Sequence, residues 1–255
     1  MTLLNALQKV PSPPVNPNEF LLEPREPVQG AKHNEPELPA LYMYLVNQLA
    51  KAVISQFITE SSADARTADS IGQVVAKVFS EEELLWRGKS LIDIVIAKYR
   101  VVCPVLFGFN GNEKTTQGRA RLGWRRNKAN GGWAPDGEHH NRMAGLGAGF
   151  AAMTLRDFSK VKRENPWPPP AYWTAMAKII NTPAGEISDT QCVVLKAMVT
   201  DYEQKFINLY GNAAVAALRC ALVDFPQRVS PPTTGSRSLQ VQAKLLEGST
   251  GLRLA

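Results

Sequence analysis

The sequence predicts an all-α protein: an irregular, HEAT-repeat-like stack of antiparallel helix pairs with a proline-rich N-terminal arm and a long basic loop. Three observations predict it. Apolar residues recur three and four residues apart through most of the chain after position 40, the spacing of a helix face. The one stretch rich enough in Ile and Val to be a strand, residues 91–102, has no partner strand. Successive helical stretches are separated by short breaks, as stacked antiparallel pairs require. No repeat of fixed period is visible, so the stack is irregular.

The arm comprises residues 1–40 and the helical domain residues 41–255. Eight of the eighteen prolines fall in the first forty residues, which forbids regular helix or central strand there. A short apolar helix at residues 2–10 precedes them. Residues 41–57 form the first long helix, with Leu41, Leu45, Leu49, Val53 and Phe57 on one side and a polar strip of Asn47, Lys51 and Ser55 on another. Residues 67–79 form the next. Ser80, followed by Glu81, Glu82 and Glu83, suits the start of a third, because an acidic first turn complements the helix dipole.

Residues 91–102 are read as helix. From 110 to 140 the chain is rich in Gly, Asn and Arg without periodicity, a long basic loop. Helix resumes at 141–157 and breaks at 160–170, where four prolines surround Trp167. A short helix covers 172–180. Cys192, Leu195, Val199, Tyr202, Phe206 and Leu209 then line one helix from Ser188 to a stop at Gly211. Val215, Leu218, Leu222 and Phe225 line another that ends before Pro226, and a last helix spans 236–247.

Length and composition bound the function. A chain of 255 residues suits one large domain or a domain with a tail. Lys and Arg outnumber Asp and Glu by 29 to 23, a net charge of +6, which favours anionic partners: nucleic acid, inositol phosphates or acidic protein faces. The three cysteines, Cys103, Cys192 and Cys220, are far apart and odd in number, so they read as reduced core residues of an intracellular protein. The N-terminus lacks a signal pattern, and no apolar run approaches the roughly 20 residues that span a bilayer.

No motif carries catalysis. Arg87-Gly88-Lys89-Ser90 contains the tail of a phosphate-binding loop, but Glu83 stands where that loop needs its first glycine. Gly145, Gly147 and Gly149 lack dinucleotide-fingerprint spacing and read instead as a close helix–helix approach. His139 and His140 are adjacent, unlike metal-binding histidines four apart on a helix, and read as part of a surface loop. Neither catalytic residues nor a metal site is expected. The basic clusters are more informative. Arg119, Arg121, Arg125, Arg126 and Lys128 interleave with Trp124 and Trp133, and Lys160, Lys162 and Arg163 form a second group. Cations mixed with aromatics suit single-stranded nucleic acid or phosphate-rich ligands, although an ordinary solvated basic loop has the same composition.

The run from Gly118 to Asn127, GRARLGWRRN, resembles a segment of the fungal Gle-one family of mRNA export factors. Further matches follow in order: Leu49-Ala50-Lys51-Ala52, Val102-Cys103-Pro104, Arg142-Met143 with Gly145, Trp173 with Met176-Ala177-Lys178-Ile179, Asn181-Thr182-Pro183 and Tyr210-Gly211-Asn212-Ala213. The likeness covers about residues 41–247. It implies a HEAT-like helicase-activating domain at the cytoplasmic face of the nuclear pore complex, in the nuclear envelope, and also in the cytoplasm. That domain binds a DEAD-box RNA helicase and stimulates its ATPase cycle, with inositol hexakisphosphate as a tether. It also implies binding of a Phe-Gly nucleoporin through the C-terminal part.

Carried over by position, the phosphate pocket matches Lys51 and Lys98. The sequence departs from the family where two lysines precede Cys-Pro: here stand Val101 and Val102, with Arg100 one place earlier. The resemblance thus implies a weakened or shifted pocket, with Arg100 as the compensating cation. Arg119, Arg121, Arg125, Arg126 and Lys128 are candidates for contact with a partner or RNA. Two other readings stand beside the regulator: a direct RNA-binding module using the Trp-containing loop, and a structural pore scaffold.

Overall fold

Prolines that keep the arm out of helix leave its backbone to be satisfied by contacts with the domain. The computed structural model describes residues 10–21, 23–60, 65–127 and 131–254; the helix expected at 2–10 lies outside these but for Val10. Pro14–Val15 (β1) pairs antiparallel with Leu38–Pro39 (β2). Between them Arg25, only 4% exposed, donates to the carbonyls of Trp86, Lys89 and Ser90 and pairs with Asp93 at 2.7 Å. A guanidinium taken out of water needs that many acceptors. The Trp86 indole donates back to the Glu35 carbonyl at 2.9 Å.

Ala40–Thr59 (α1) buries Tyr42, Val46, Ala50, Val53, Ile54 and Phe57. Val53 and Phe57 of the expected row are buried, but toward the N-terminus the buried row is Tyr42, Val46 and Ala50, while Leu41 and Leu45 are half-buried and Leu49 is exposed. The helix is apolar around most of its circumference, so spacing could not select the row; the neighbouring helices do. Ala65–Phe79 (α2) follows.

Ser80 does not start a third helix. Its hydroxyl donates back to the Lys77 carbonyl at 2.7 Å, and Glu82–Leu84 makes a single 3₁₀ turn. A hairpin of Leu85–Trp86 (β3) and Lys89–Ser90 (β4) comes next. Arg87 and Gly88 carry φ of +49° and +73°, the left-handed pair that a two-residue hairpin turn demands. The Gly-Lys-Ser tail is therefore a hairpin.

Asp93–Val102 (α3) is the helix expected near 91–102. The supposed loop at 110–140 contains a short helix, Thr116–Arg121 (α4), capped by the Thr115 hydroxyl, and an Arg126–Trp133 bridge. Asp136–Thr154 (α5) begins before the expected 141 and is the central helix, packed most extensively on Asp189–Val199 (α7) and on α2, and also on α1. Its glycines make this possible: the Phe57 ring occupies the place of a Gly149 side chain, and a Cβ on Gly147 would lie 2.8 Å from the Val194 carbonyl oxygen. Pro169–Ile180 (α6) lies between α5 and α7 in the chain.

The single helix expected from 188 to 210 is two. It breaks at residues 200–202, where Asp201 adopts φ +67°, and resumes as Glu203–Tyr210 (α8). Asn212–Arg219 (α9) also departs from expectation: it runs through a π-helical segment, Cys220–Asp224, into Phe225–Gln227, past Pro226. The wider π turn makes room for a ring without an N–H. Cys220 is exposed, not a core residue; Cys103 and Cys192 are buried. Thr234–Thr250 (α10) ends the fold, and its Gly235 N–H donates to the Asp189 carboxylate at the start of α7.

The fold is all-α, as expected. One continuous core runs through it, with Phe57, Tyr99, Phe150, Tyr172 and Phe206 in tilted or stacked contact along its length. Among the described residues, no helix is long and apolar enough to cross a membrane.

Candidate anion-binding surfaces

α1 and α3 pack side by side, which brings Lys51 and Lys98 into electrostatic contact. Lys51 is exposed and Lys98 half-buried. Burial, and then the Lys51 charge, holds the Lys98 ammonium below its ordinary range. Neither lysine has a carboxylate partner among the described residues. Two like charges held close without a counter-ion repel each other, and a bound polyanion turns that repulsion into attraction to both.

Arg100 does not join this pair. Two residues along α3, it projects roughly 200° around the helix from Lys98, and its guanidinium lies over Phe107 and Phe109, 6.0 and 5.6 Å from their ring centroids. Val101 is 75% exposed and Val102 half-buried.

The arginine-rich segment has its own construction. Arg119 lies 4.5 Å over Trp124 and donates from Nε to the Glu113 carbonyl at 2.8 Å. Arg126 lies 3.8 Å over Trp133. Among the described residues Arg121 reaches only Asn110 Oδ1, at 3.5 Å, and Arg125 is exposed. Lys128 lies outside the described residues. Arg119 and Arg126 are thus braced on indoles, whereas Arg121 and Arg125 present their charge to solvent.

Two buried residues organise this segment from below. Arg142, 6% exposed, donates to the carbonyls of Val102 at 3.0 Å and Gly123 at 3.1 and 3.0 Å. It thereby ties the end of α3 to the segment after α4. Burial, then the Arg125 charge, pushes its pKa down to about 10. His139, expected in a surface loop, is instead buried on α5 and stacked on Trp124 at 3.9 Å. The Thr190 hydroxyl donates to the Glu113 carboxylate, so the proton of the 2.8 Å His139–Thr190 contact belongs to Nε2. Burial, then Arg142, pushes the imidazole down to about 3, so it is neutral at physiological pH. Glu113 also accepts from the Asp189 and Thr190 N–H groups at 3.1 Å, capping α7. Arg142 gave a sequence-level signal only as part of a family match; nothing in its neighbours marks it as a buried brace. Among the described residues no group of three or more His, Cys, Asp or Glu side chains is placed to hold a metal.

A family model described as GLE1-like protein matches residues 3–222. The mRNA export factor GLE1 of Chaetomium thermophilum is 58% identical over 246 residues, covering 96% of this chain and 46% of that protein. The mRNA export factor GLE1 of Saccharomyces cerevisiae is 29% identical over 176 residues, covering 68% of this chain and 31% of that protein. The chain thus spans less than half the length of these relatives. A solved structure described as the S. cerevisiae Dbp5 L327V C-terminal domain bound to Gle1 and IP6 is similar with a TM-score of 0.72 and 25% identity, over 83% of this chain and 70% of that one. A second, with Gle1 H337R, gives a TM-score of 0.70 at 24% identity.

Proposed function

This chain belongs to the GLE1-like protein family, and from that premise we propose that it is a non-enzymatic regulator of nuclear mRNA export. It binds a DEAD-box RNA helicase and stimulates its ATPase cycle. Residues 41–255 form the activating unit, residues 1–40 its arm. The reading places the protein at the cytoplasmic face of the nuclear pore complex, with a Phe-Gly nucleoporin bound through the C-terminal helices.

The observation that supports it best is the likeness, at a TM-score of 0.72, to a structure described as a Dbp5 C-terminal domain bound to Gle1 and IP6. Inositol hexakisphosphate suits the Lys51–Lys98 pair chemically. When bound, it supplies a dense polyanion that accepts charge-assisted hydrogen bonds from two proteins at once. Lys51 and Lys98 would hold it, because neither has a carboxylate partner among the described residues and Lys98 is already partly desolvated. Val101 contributes no charge to that face, and Arg100 is turned to Phe107 and Phe109, so the seat rests on fewer cations than the family pattern has.

Titrating this chain into the labelled C-terminal lobe of the cognate helicase, with and without inositol hexakisphosphate, tests the reading. Saturable binding that tightens with the phosphate is expected. Failure to bind in both conditions, with the chain folded, contradicts it.

A further inference from the structure

We propose that the arginine face built from residues 100–126 binds single-stranded RNA directly. From residue 100 to residue 126 the sequence contains six Lys and Arg and one carboxylate, Glu113, a net +5 out of the +6 of the entire chain. The rest of the molecule carries a net charge of only +1. Glu113 offers the face little compensation, because its two oxygens are engaged at the start of α7. Arg100, Arg121, Arg125 and Arg126 are all exposed, and none has an ion pair among the described residues.

These arginines form one surface. Arg100 lies over Phe109, and Arg121 bonds to the adjoining Asn110, so both converge on the same turn. Arg125 acts electrostatically on Arg142, whose bonds to Val102 and Gly123 hold the two parts of the face together. Arg126 and its indole, half-buried Trp133, extend it. Guanidiniums address phosphates, and the planes of Arg100 and Arg126, laid over Phe109 and Trp133 and themselves exposed, offer stacking surfaces to unpaired bases. An acidic protein surface would meet the charges but make no comparable use of these stacked planes, and in a duplex the base faces are already stacked. Binding needs this domain alone, so it stands or falls apart from the helicase reading.

Fluorescence polarisation of a labelled oligouridylate with the isolated chain, in a potassium chloride series, tests the proposal. Four arginine–phosphate contacts predict a log–log salt slope of about −2.8, at about −0.7 per contact. The exposed pair Arg121→Ser, Arg125→Ser should weaken binding about tenfold or more at low salt and flatten the slope by about 1.4, with an unchanged urea midpoint. Lys51→Met, Lys98→Met should leave RNA affinity within about twofold, because neither side chain supplies one of the four contacts counted in that slope. Absence of saturable binding overturns the proposal, as does equal binding by the Arg121/Arg125 variant. A loss in the Lys51/Lys98 variant moves RNA to the lysine pair and overturns it too. If the arginine variant loses helicase binding while RNA binding is unchanged, the face is a protein interface.

Discussion

The lysine pair and the arginine face answer the same problem, holding cations without counter-ions, in opposite ways. Lys51 and Lys98 meet across two packed helices, repel each other, and gain only when a polyanion arrives. Of the arginines, Arg119 lies on an indole and Arg142 donates to two backbone carbonyls, so part of that positive charge has a structural brace. Charge density alone thus does not distinguish a binding cation from a building one; its partners do.

The sharpest way to break this comparison is Arg142→Met. It leaves the Val102 and Gly123 carbonyls without their donor and should cost roughly 3 kcal/mol, read from urea unfolding. A change below about 0.5 kcal/mol would mean that Arg142 is no brace. Gly149→Ala should cost about 1–3 kcal/mol, because the Phe57 ring must move; a neutral result would show that α1 and α5 can separate at no cost. Arg121→Ser with Arg125→Ser should stay within about 0.5 kcal/mol of the parent, as exposed sites do.

The smallest effect belongs to the lysine pair. Because Lys98 titrates below its ordinary 10.5 in the folded state, the folded protein holds that proton less tightly than the unfolded chain. The penalty is fully present below the folded pKa and is relieved as pH rises from there toward 10.5. Lys51→Met removes part of it. The Lys98 titration, followed by NMR of its side chain, should then move up; no movement would mean that the two lysines are not electrostatically coupled.

The strong periodicity of α7 and α8 was legible in the sequence, as was the close packing at Gly147 and Gly149, whereas α3 was read as helix only for want of a partner strand. The hairpin at residues 85–90 was not, because two-residue strands leave no alternation to read. The break at Asp201 escaped because Val199, Tyr202 and Phe206 keep helical spacing across it and all remain buried. At the candidate site, Lys51 and Lys98 were found through resemblance, and their nearness depends on how α1 packs on α3. That Arg25, Arg142 and His139 are buried depends on partners 19 to 68 residues away, which local pattern does not carry.

The most direct test of the central claim is the RNA-stimulated ATPase rate of the cognate helicase, with and without this chain, each with and without inositol hexakisphosphate. The expected result is a rise that strengthens with the phosphate, and a phosphate dependence lost in Lys51→Glu, Lys98→Glu but kept in Arg121→Ser, Arg125→Ser. No rise under any condition, with the chain folded and bound to the helicase, would contradict the regulator reading and leave a scaffold in its place.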